Sequence, residues 1–381
     1  MNLPSKTKYL LFTLEFPPAI GGVATYHQNL VDNWPADNLS VLADNIPGGK
    51  DDGLVKYRPL IAKHFRPRWL LAIWQLYCEI SGLKSSSFDP YVIVGEILPL
   101  GSAAYFLTKL IKFKYAVLLH GLDFSLATST KRKKKITGKI LSQAEKIICS
   151  DTFTANSVKL FNGDLTAKIE VVNPSIASSF VRNPQRVKEL RQQYSLDNKT
   201  VLFGLGRLVL RKGVDKVIEA MGKISQAANN AVYVVAGSGP DEAVIKKVAD
   251  GLPPGIRNKI IFTGQVSDSD RWAWLELCDI FIMVSRNIAG DYEGFGTVYL
   301  EANLAGKPVI AGSSGGVRDA VIDNINGLLV NPEKTGEIAA AAIKLINDPL
   351  LRQALGEQGK RRAVENFSAK KQTEKFYHKL N

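Results

Sequence analysis

The sequence predicts an α/β chain built from two doubly wound, parallel-sheet domains in tandem. Short apolar runs rich in β-branched residues alternate with helical patterns along nearly the whole length, as strands buried on both faces do. The alternation lapses once, at Asn173–Gln185 (NPSIASSFVRNPQ), where two prolines and three serines mark a hinge. A chain of 381 residues and 41.8 kDa also exceeds one typical hydrophobic core, so two domains are expected on size alone.

In the first half, strand Tyr9–Leu14 leads through the Gly21-Gly22 turn into a helix over Val23–Asn33. Strands follow at Ser40–Ala43, Tyr91–Val94, Tyr115–Leu119, Lys146–Cys149 and Ile169–Val172, with helical patterns at Leu100–Ile111 and Lys134–Gln143 between them. The second series runs Thr200–Leu205, Val232–Ala236, Lys259–Phe262, Ile280–Val284, Pro308–Ala311 and Gly327–Val330, with helices such as Val214–Ala220 and Pro240–Ala249. The tail, Ser368–Leu380, is again helical in pattern. The expected division is residues 1–175, 176–365 and a terminal helix over 366–381.

Apolar content of 45% with 22% charged residues is that of a soluble globular protein. Cys78, Cys149 and Cys278 are far apart and read as buried thiols in a reducing compartment. The apolar start Tyr9–Leu14 is broken by Glu15 and Pro17-Pro18, which suits a first strand and not a signal peptide. No run is long enough to span a bilayer; Tyr91–Leu119 comes nearest but carries Glu96, Lys109, Lys112 and Lys114. A cytoplasmic protein is expected. The net charge of +13 is uneven: Lys109–Lys146 holds ten Lys/Arg against two acids, including the block Lys131-Arg132-Lys133-Lys134-Lys135. Such a block reads as a solvated surface loop or as a contact with an anionic membrane at the inner face. Nucleic acid is not expected, since no aromatic platform or known motif accompanies it.

The chemistry concentrates at Tyr292–Val309, YEGFGTVYLEANLAGKPV. Glu293 lies in a loop with Gly294 and Gly296, and Glu301 stands where an apolar helix begins. A helix N-terminus offers free N–H groups to phosphate, and the glycines let backbone approach a bulky ligand. Two carboxylates flanking an anion site suit a ligand that is part phosphate, part polyol: a nucleotide sugar. Arg207 and Lys212 follow strand Thr200–Leu205 in GRLVLRKG, at the ligand edge of an open sheet, and suit a pyrophosphate. Gly237-Ser238-Gly239-Pro240 makes a second strand-to-helix corner, and Gly264-Gln265-Val266 a third. Asp268-Ser269-Asp270 precedes WAWLELCD and is expected to cap that helix through Asp268 or Ser269 rather than to bind a metal. In the first half, Gly21-Gly22, Glu96 (VGEILPLG) and His120 with Asp123 (HGLD) all follow strand ends.

Glu293, Gly294, Phe295, Gly296 and Glu301 match the E-x7-E signature, and the chain resembles the retaining glycosyltransferases of family 4. The resemblance implies the GT-B architecture: two Rossmann-like domains facing across a cleft, with the last helix returning to the N-terminal one. It implies an acceptor-binding first domain and a nucleotide-sugar-binding second. It assigns Glu293 to hydroxyls of the donor sugar and Glu301 to the ribose. Backbone N–H groups of Phe295 and Gly296 would meet the sugar, and those of Thr297 and Val298 the diphosphate, which Arg207 and Lys212 also hold; Arg211 lies outside the shared pattern. Gly237 and Val266 would lie at the nucleotide, Gly21 and Gly22 at the diphosphate and acceptor, and His120 near the reacting carbon. From their places at strand ends, Asp123 is expected to orient the acceptor or His120, and Glu96 to face the acceptor. No cofactor and no metal are implied. UDP-glucose is the first donor expected and GDP-mannose the second, with a lipid-linked or growing envelope saccharide as acceptor. The segment Asn173-Pro174-Ser175-Ile176 departs from the P-N-G-V-D of many relatives. The competing readings are a sugar-nucleotide 2-epimerase of the same architecture and a non-catalytic nucleotide-sugar-binding protein.

Overall fold

The computed structural model describes residues 7–19, 21–62, 67–176, 180 and 182–381; residues 177–179 and 181 of the hinge segment lie outside them. The chain divides into two compact units, residues 1–175 with 369–381, and residues 176–368.

The first unit is a seven-stranded parallel sheet. Its elements are β1 (Thr7–Thr13), α1 (Gly22–Asp32), β2 (Leu39–Asp44), β3 (Val55–Arg58), α2 (Leu70–Ser85), β4 (Asp89–Val94), α3 (Leu100–Leu107), β5 (Lys114–Leu119), α4 (Leu122–Ala127), α5 (Lys131–Gln143), β6 (Lys146–Cys149), α6 (Thr152–Phe161) and β7 (Ile169–Val171). Strand order is β3-β2-β1-β4-β5-β6-β7. Alternate residues of each strand point to opposite faces. One face, with Leu10, Phe12, Val92, Val94 and Val117, is covered by α2, α3 and α5. The other, with Tyr9, Leu11, Tyr91, Ile93 and Ala116, receives α1 and the terminal helix.

The second unit holds α7 (Pro184–Gln193), β8 (Thr200–Leu205), α8 (Val214–Ala227), β9 (Ala231–Ala236), α9 (Glu242–Asp250), α10 (Pro254–Arg257), β10 (Ile260–Gly264), α11 (Asp268–Leu277), β11 (Ile280–Met283), α12 (Thr297–Leu304), β12 (Val309–Gly312), α13 (Val317–Ala320), β13 (Gly327–Val330), α14 (Thr335–Asn347) and α15 (Pro349–Phe367). Its six parallel strands run β10-β9-β8-β11-β12-β13. The chain then returns to the first unit as α16 (Ala369–Leu380), where Phe376 and Leu380 are buried and the Tyr9 hydroxyl donates to Asn381 Oδ1 at 2.7 Å.

Four expectations need correction. Cys78, expected as a buried thiol, is exposed, while Cys149 and Cys278 are buried. The basic block is not a loop: Thr130 caps α5 by accepting the Lys133 N–H at 3.3 Å, so Lys131–Lys135 form its first turns. Helix α12 begins at Thr297, which puts Glu301 in its second turn. The cap of α11 is Ser267, whose Oγ accepts the Asp270 N–H at 3.1 Å, and not Asp268 or Ser269. Strand β3 and helix α2 lie in a stretch that the periodicity left unassigned.

Candidate functional site

An open parallel sheet binds ligands outside the carboxyl ends of its strands, where the strand order reverses. The reversal falls between β1 and β4 in the first unit and between β8 and β11 in the second. Most of the residues singled out in the sequence stand at these two points or on the corners beside them; Glu301, within α12, does not.

In the second unit β8 runs out at Gly206. The Gly206 N–H donates to Ala236 O at 3.1 Å and the Leu208 N–H to Ser238 O at 2.9 Å, which lays the loop after β8 against the corner after β9. Gly237 makes this approach possible: its φ is +132°, and a Cβ there would stand 2.0 Å from the Gly206 carbonyl oxygen. Asp241 completes the seam by accepting the Leu210 N–H at 2.8 Å. The corner after β10 joins it through the Gly237 N–H donating to Gly264 O at 2.8 Å, with Val266 two residues on.

The loop so fixed delivers Lys212 and Arg211 to Glu293. Lys212 Nζ lies 2.7 Å from Glu293 Oε2, and Arg211 Nη1 bonds the same oxygen. The Ser285 hydroxyl, at the end of β11, stands 3.4 Å from it, and Arg211 Nε lies 2.9 Å from Asp291 Oδ1. Burial by itself would raise the Glu293 pKa, but the charges of Lys212 and Arg211 outweigh it and hold the carboxyl down at about 2. Glu293 is therefore ionised at neutral pH. Arg207 behaves differently: it is exposed, and its side chain makes no ion pair or hydrogen bond among the described residues.

Gly296 turns the chain into α12 at φ +78°, where a Cβ would lie 2.6 Å from the Tyr299 ring. Thr297 and Val298 form the first helical turn, and no acidic side chain occupies it. Phe295 sends its ring into the core, 5.5 Å from Phe367, so its backbone alone serves the loop. Tyr299 braces the site from beneath, its hydroxyl donating to Met283 O at 2.9 Å. Glu301 is not gathered to Glu293. It pairs with Arg271 of α11, whose Nη1 lies 3.2 Å from both carboxylate oxygens. Burial raises the Glu301 pKa, with Arg271 opposing. Asp270 accepts a two-pronged contact from Arg186 (2.7 and 3.2 Å), and among the described residues no group of three or more His, Cys, Asp or Glu is placed to hold a metal.

The first unit gathers a second polar cluster. Glu96, just past β4, accepts the Thr13 hydroxyl at 2.8 Å and the Leu14 N–H at 2.9 Å. Burial dominates and pushes its pKa up to about 8. His27 of α1 donates from Nδ1 to Glu15 O at 2.8 Å, and burial lowers its pKa to about 4. The His120 ring lies 5.7 Å from that of His27 and 5.3 Å from Tyr26; burial, then His27, lowers its pKa to about 3. Asp123 does not orient the His120 ring: its Oδ1 accepts the His120 backbone N–H at 2.9 Å. The buried atoms His27 Nε2, His120 Nε2 and Asp123 Oδ2 have no partner among the described residues. Gly21 and Gly22 open α1 beside this cluster, a Cβ on Gly21 standing 3.8 Å from Glu15 Oε2.

Sequence reasoning set Arg211 aside and passed over Ser285, Asp291, Arg271, Thr13 and His27. Arg211 was detectable, since it sits next to Lys212 in a strongly cationic loop. Arg271 was not, since its partner Glu301 is thirty residues away on another helix.

Residues 186–362 match the family model described as Glycosyl transferases group 1. Over 197 residues the chain is 34% identical to the GDP-mannose-dependent alpha-(1-6)-phosphatidylinositol monomannoside mannosyltransferase of Mycobacterium tuberculosis, a match that covers 51% of each protein. The chain thus spans about half the length of that relative. It is 25% identical over 373 residues, 96% of both proteins, to the GDP-mannose-dependent monoacylated alpha-(1-6)-phosphatidylinositol monomannoside mannosyltransferase of Corynebacterium glutamicum. Among solved structures, Anabaena Alr3699/HepE in complex with UDP superposes with a TM-score of 0.80 over 98% of this chain and 99% of the other, at 18% identity, which bears on the fold. Its two parallel sheets and this superposition give the chain the GT-B fold, and within its second unit residues 186–362 are similar to the group 1 glycosyl transferases.

Proposed function

We propose that the protein is a retaining hexosyltransferase that moves a sugar from a nucleotide-diphosphate donor to a saccharide or lipid-linked acceptor. The observation that carries this reading is the Glu293 carboxylate held by Lys212 and Arg211 just ahead of the N-terminus of α12, within the matched region. The three contacts converge on Oε2, which leaves Oε1 to accept a hydroxyl of the donor sugar. Lys212, the unpaired Arg207 and the first N–H groups of α12 (Thr297, Val298) supply positive potential for a diphosphate. Phe295 and Gly296 offer backbone to the sugar, Glu301 takes the ribose, and Gly237 and Val266 border the base. In the first unit, His120 with Gly21 and Gly22 serves the reacting end of the donor, and Glu96 and Asp123 the acceptor.

In the proposed reaction the bond from the anomeric carbon to the diphosphate oxygen breaks, and its electron pair stays on the phosphate. The acceptor oxygen bonds to the same face of that carbon and passes its proton to the leaving phosphate. Glu293 stays an anion in ion pairs throughout and serves as a sugar ligand, not a nucleophile. Charge on the leaving group is met by Arg207, Lys212 and the helix terminus, so no divalent ion is required.

GDP-mannose is the donor we favour, because both curated relatives are GDP-mannose-dependent by name. This reverses the order expected from the sequence, where UDP-glucose came first. A glycolipid acceptor follows from the same relatives. Thermal shift against GDP, UDP, GDP-mannose and UDP-glucose tests the donor, since a ligand that binds the native state raises the melting temperature. GDP and GDP-mannose should give the larger shifts, and a response to uridine nucleotides alone would reverse the choice. Turnover with an α-configured product in the presence of EDTA is expected; a β-linked product would refute retention.

A further inference from the structure

Helices α2, α3 and α5 cover one face of the first sheet, with α3 packed against both neighbours. Ala72, Leu76 and Ile80 of α2, Ala103, Ala104 and Leu107 of α3, and Ile140 and Leu141 of α5 fill the core beneath. A helix with its apolar stripe committed inward ordinarily shows polar residues to water. Helix α2 does not. Leu70, Trp74 and Tyr77 follow one another at i, i+4 and i+7 along its outer side, Trp74 at 60% exposure, with the Trp74 and Tyr77 rings stacked at 6.0 Å. Phe106 of α3, also exposed, stacks on Trp69 at 5.0 Å and 4°, which joins α3 to the start of α2. Leu110, just past α3, is 77% exposed. Large apolar side chains on adjacent helices form a patch, where scattered single ones would need no explanation.

Cations frame the patch. Lys84 ends α2, Lys109 and Lys112 follow α3, and Lys131–Lys135 with Lys139 lie on α5, all exposed. From Lys109 to Lys139 the chain has nine Lys/Arg and one acid, Asp123. Glu79 of α2 is taken up by Lys56 at 2.8 Å. The first turn of α5 has no acidic residue, so its cations add to the positive end of the helix dipole.

We propose that the outer surface of α2, α3 and α5 docks the protein on an anionic lipid bilayer. Leu70, Trp74, Tyr77, Phe106 and Leu110 enter the interface, where Trp and Tyr are at home, and the cations meet headgroup phosphates. A nucleic-acid strand would also engage cations and rings, but it gives no role to Leu70 and Leu110. No helix among the described residues is long and apolar enough to cross a membrane, so the contact is peripheral. The whole surface belongs to the first unit and does not depend on the donor reading.

The test is co-sedimentation of the full chain with phosphatidylcholine vesicles, with and without phosphatidylglycerol, at low and high salt. Binding is expected to the anionic vesicles only and to fall as salt rises. A variant with Trp74→Ser, Tyr77→Ser and Leu110→Ser, and a second with Lys131–Lys135 replaced by Gln, should each bind about tenfold more weakly or worse, with melting temperatures not lowered. Tryptophan emission should shift to the blue on vesicles, and Trp74→Phe should remove most of the shift. The proposal is overturned if wild type ignores anionic vesicles, binds neutral ones equally, or binds a single-stranded oligonucleotide while ignoring vesicles. It is overturned equally if both variants bind as wild type does. Nucleotide thermal shifts, run in parallel, report the second unit separately.

Discussion

Glu96 and Glu293 are the same residue in matching places, each beyond the strand that adjoins its sheet's point of reversal, and each is 9% exposed. Burial acts on both in the same direction. Yet the Glu96 pKa is pushed up to about 8, whereas that of Glu293 is held at about 2. Partners account for the difference. Glu96 receives one hydroxyl and one backbone N–H, and the neighbouring acids Glu15 and Asp123 oppose its charge. Glu293 has two cations on one oxygen. Two neutral hydrogen bonds do not offset the desolvation of a carboxylate, while two adjacent cations do. At neutral pH the first unit therefore holds a neutral carboxyl that can donate a proton, and the second a fixed anion that can only accept hydrogen bonds. That division matches the acceptor and donor roles proposed above for the two residues.

The largest effect should come from stripping the second unit's cations. Arg211→Met with Lys212→Met leaves Glu293 buried without a counter-charge, an uncompensated state that costs about 3–5 kcal/mol. Thr13→Val removes a neutral partner from Glu96 and the acceptor of the Glu15 N–H, with no charge left unpaired, and should cost about 1–3 kcal/mol. Urea unfolding, with hydrogen exchange to locate the loss in each unit, measures both. Equal losses would mean that the two carboxylates are not held by different physics.

Stability against pH separates the pair by sign. The folded-state pKa of Glu96 lies above its ordinary 4.5, so the native state binds the extra proton. Its contribution is full below pH 4.5 and is lost as pH rises to about 8. His27 and His120 run the other way, their contribution disappearing as pH falls from 6.5 toward about 4 and about 3. Above pH 6.5 the Glu96 slope prevails in the first unit, worth about 2 kcal/mol by pH 8. Glu293, depressed from 4.5 to about 2, stabilises its unit at all pH values above 4.5 and loses that only in acid. Hydrogen exchange at β1 and β4 should accelerate between pH 6.5 and 8 beyond its intrinsic pH dependence, and Glu96→Gln should abolish that excess. An unchanged profile in the variant would place the proton elsewhere.

The strands were legible because buried parallel strands are nearly continuous apolar runs; Thr200–Leu205 and Gly327–Val330 were read with their observed bounds. Lys212 was legible because it follows a strand, and strand ends face ligands, and Glu293 because it sits in a glycine loop ahead of a helix. What stayed hidden was pairing across sequence. Arg211 with Glu293 spans 82 residues, Arg271 with Glu301 spans 30, and Arg286 with Asp215, 2.7 Å apart and buried, spans 71. No local period encodes such contacts. The helix α2 was hidden for another reason: with apolar residues on its outer side as well as its inner one, it lacks the polar face that a helical period needs.

The smallest effect concerns two helix starts, one in each unit. Helix α11 is capped by Ser267 and has Asp268 and Asp270 in its first turn, charges that suit the positive end of the dipole. Helix α5 is capped by Thr130 and has Lys131, Arg132 and Lys133 there, charges that oppose it. The second arrangement is unfavourable for the helix and favours a phosphate-bearing partner. Lys131→Glu should therefore stabilise α5 by about 0.3–1 kcal/mol, and Asp268→Lys should destabilise α11 by a similar amount. Slower exchange of the first α5 amides would register the gain, and the same variant should bind anionic vesicles less well. Stabilisation together with weakened binding would show that the cations are kept at a cost to the helix. Destabilisation by Lys131→Glu would mean instead that these side chains serve the fold, and the contrast between the two helix starts would fail.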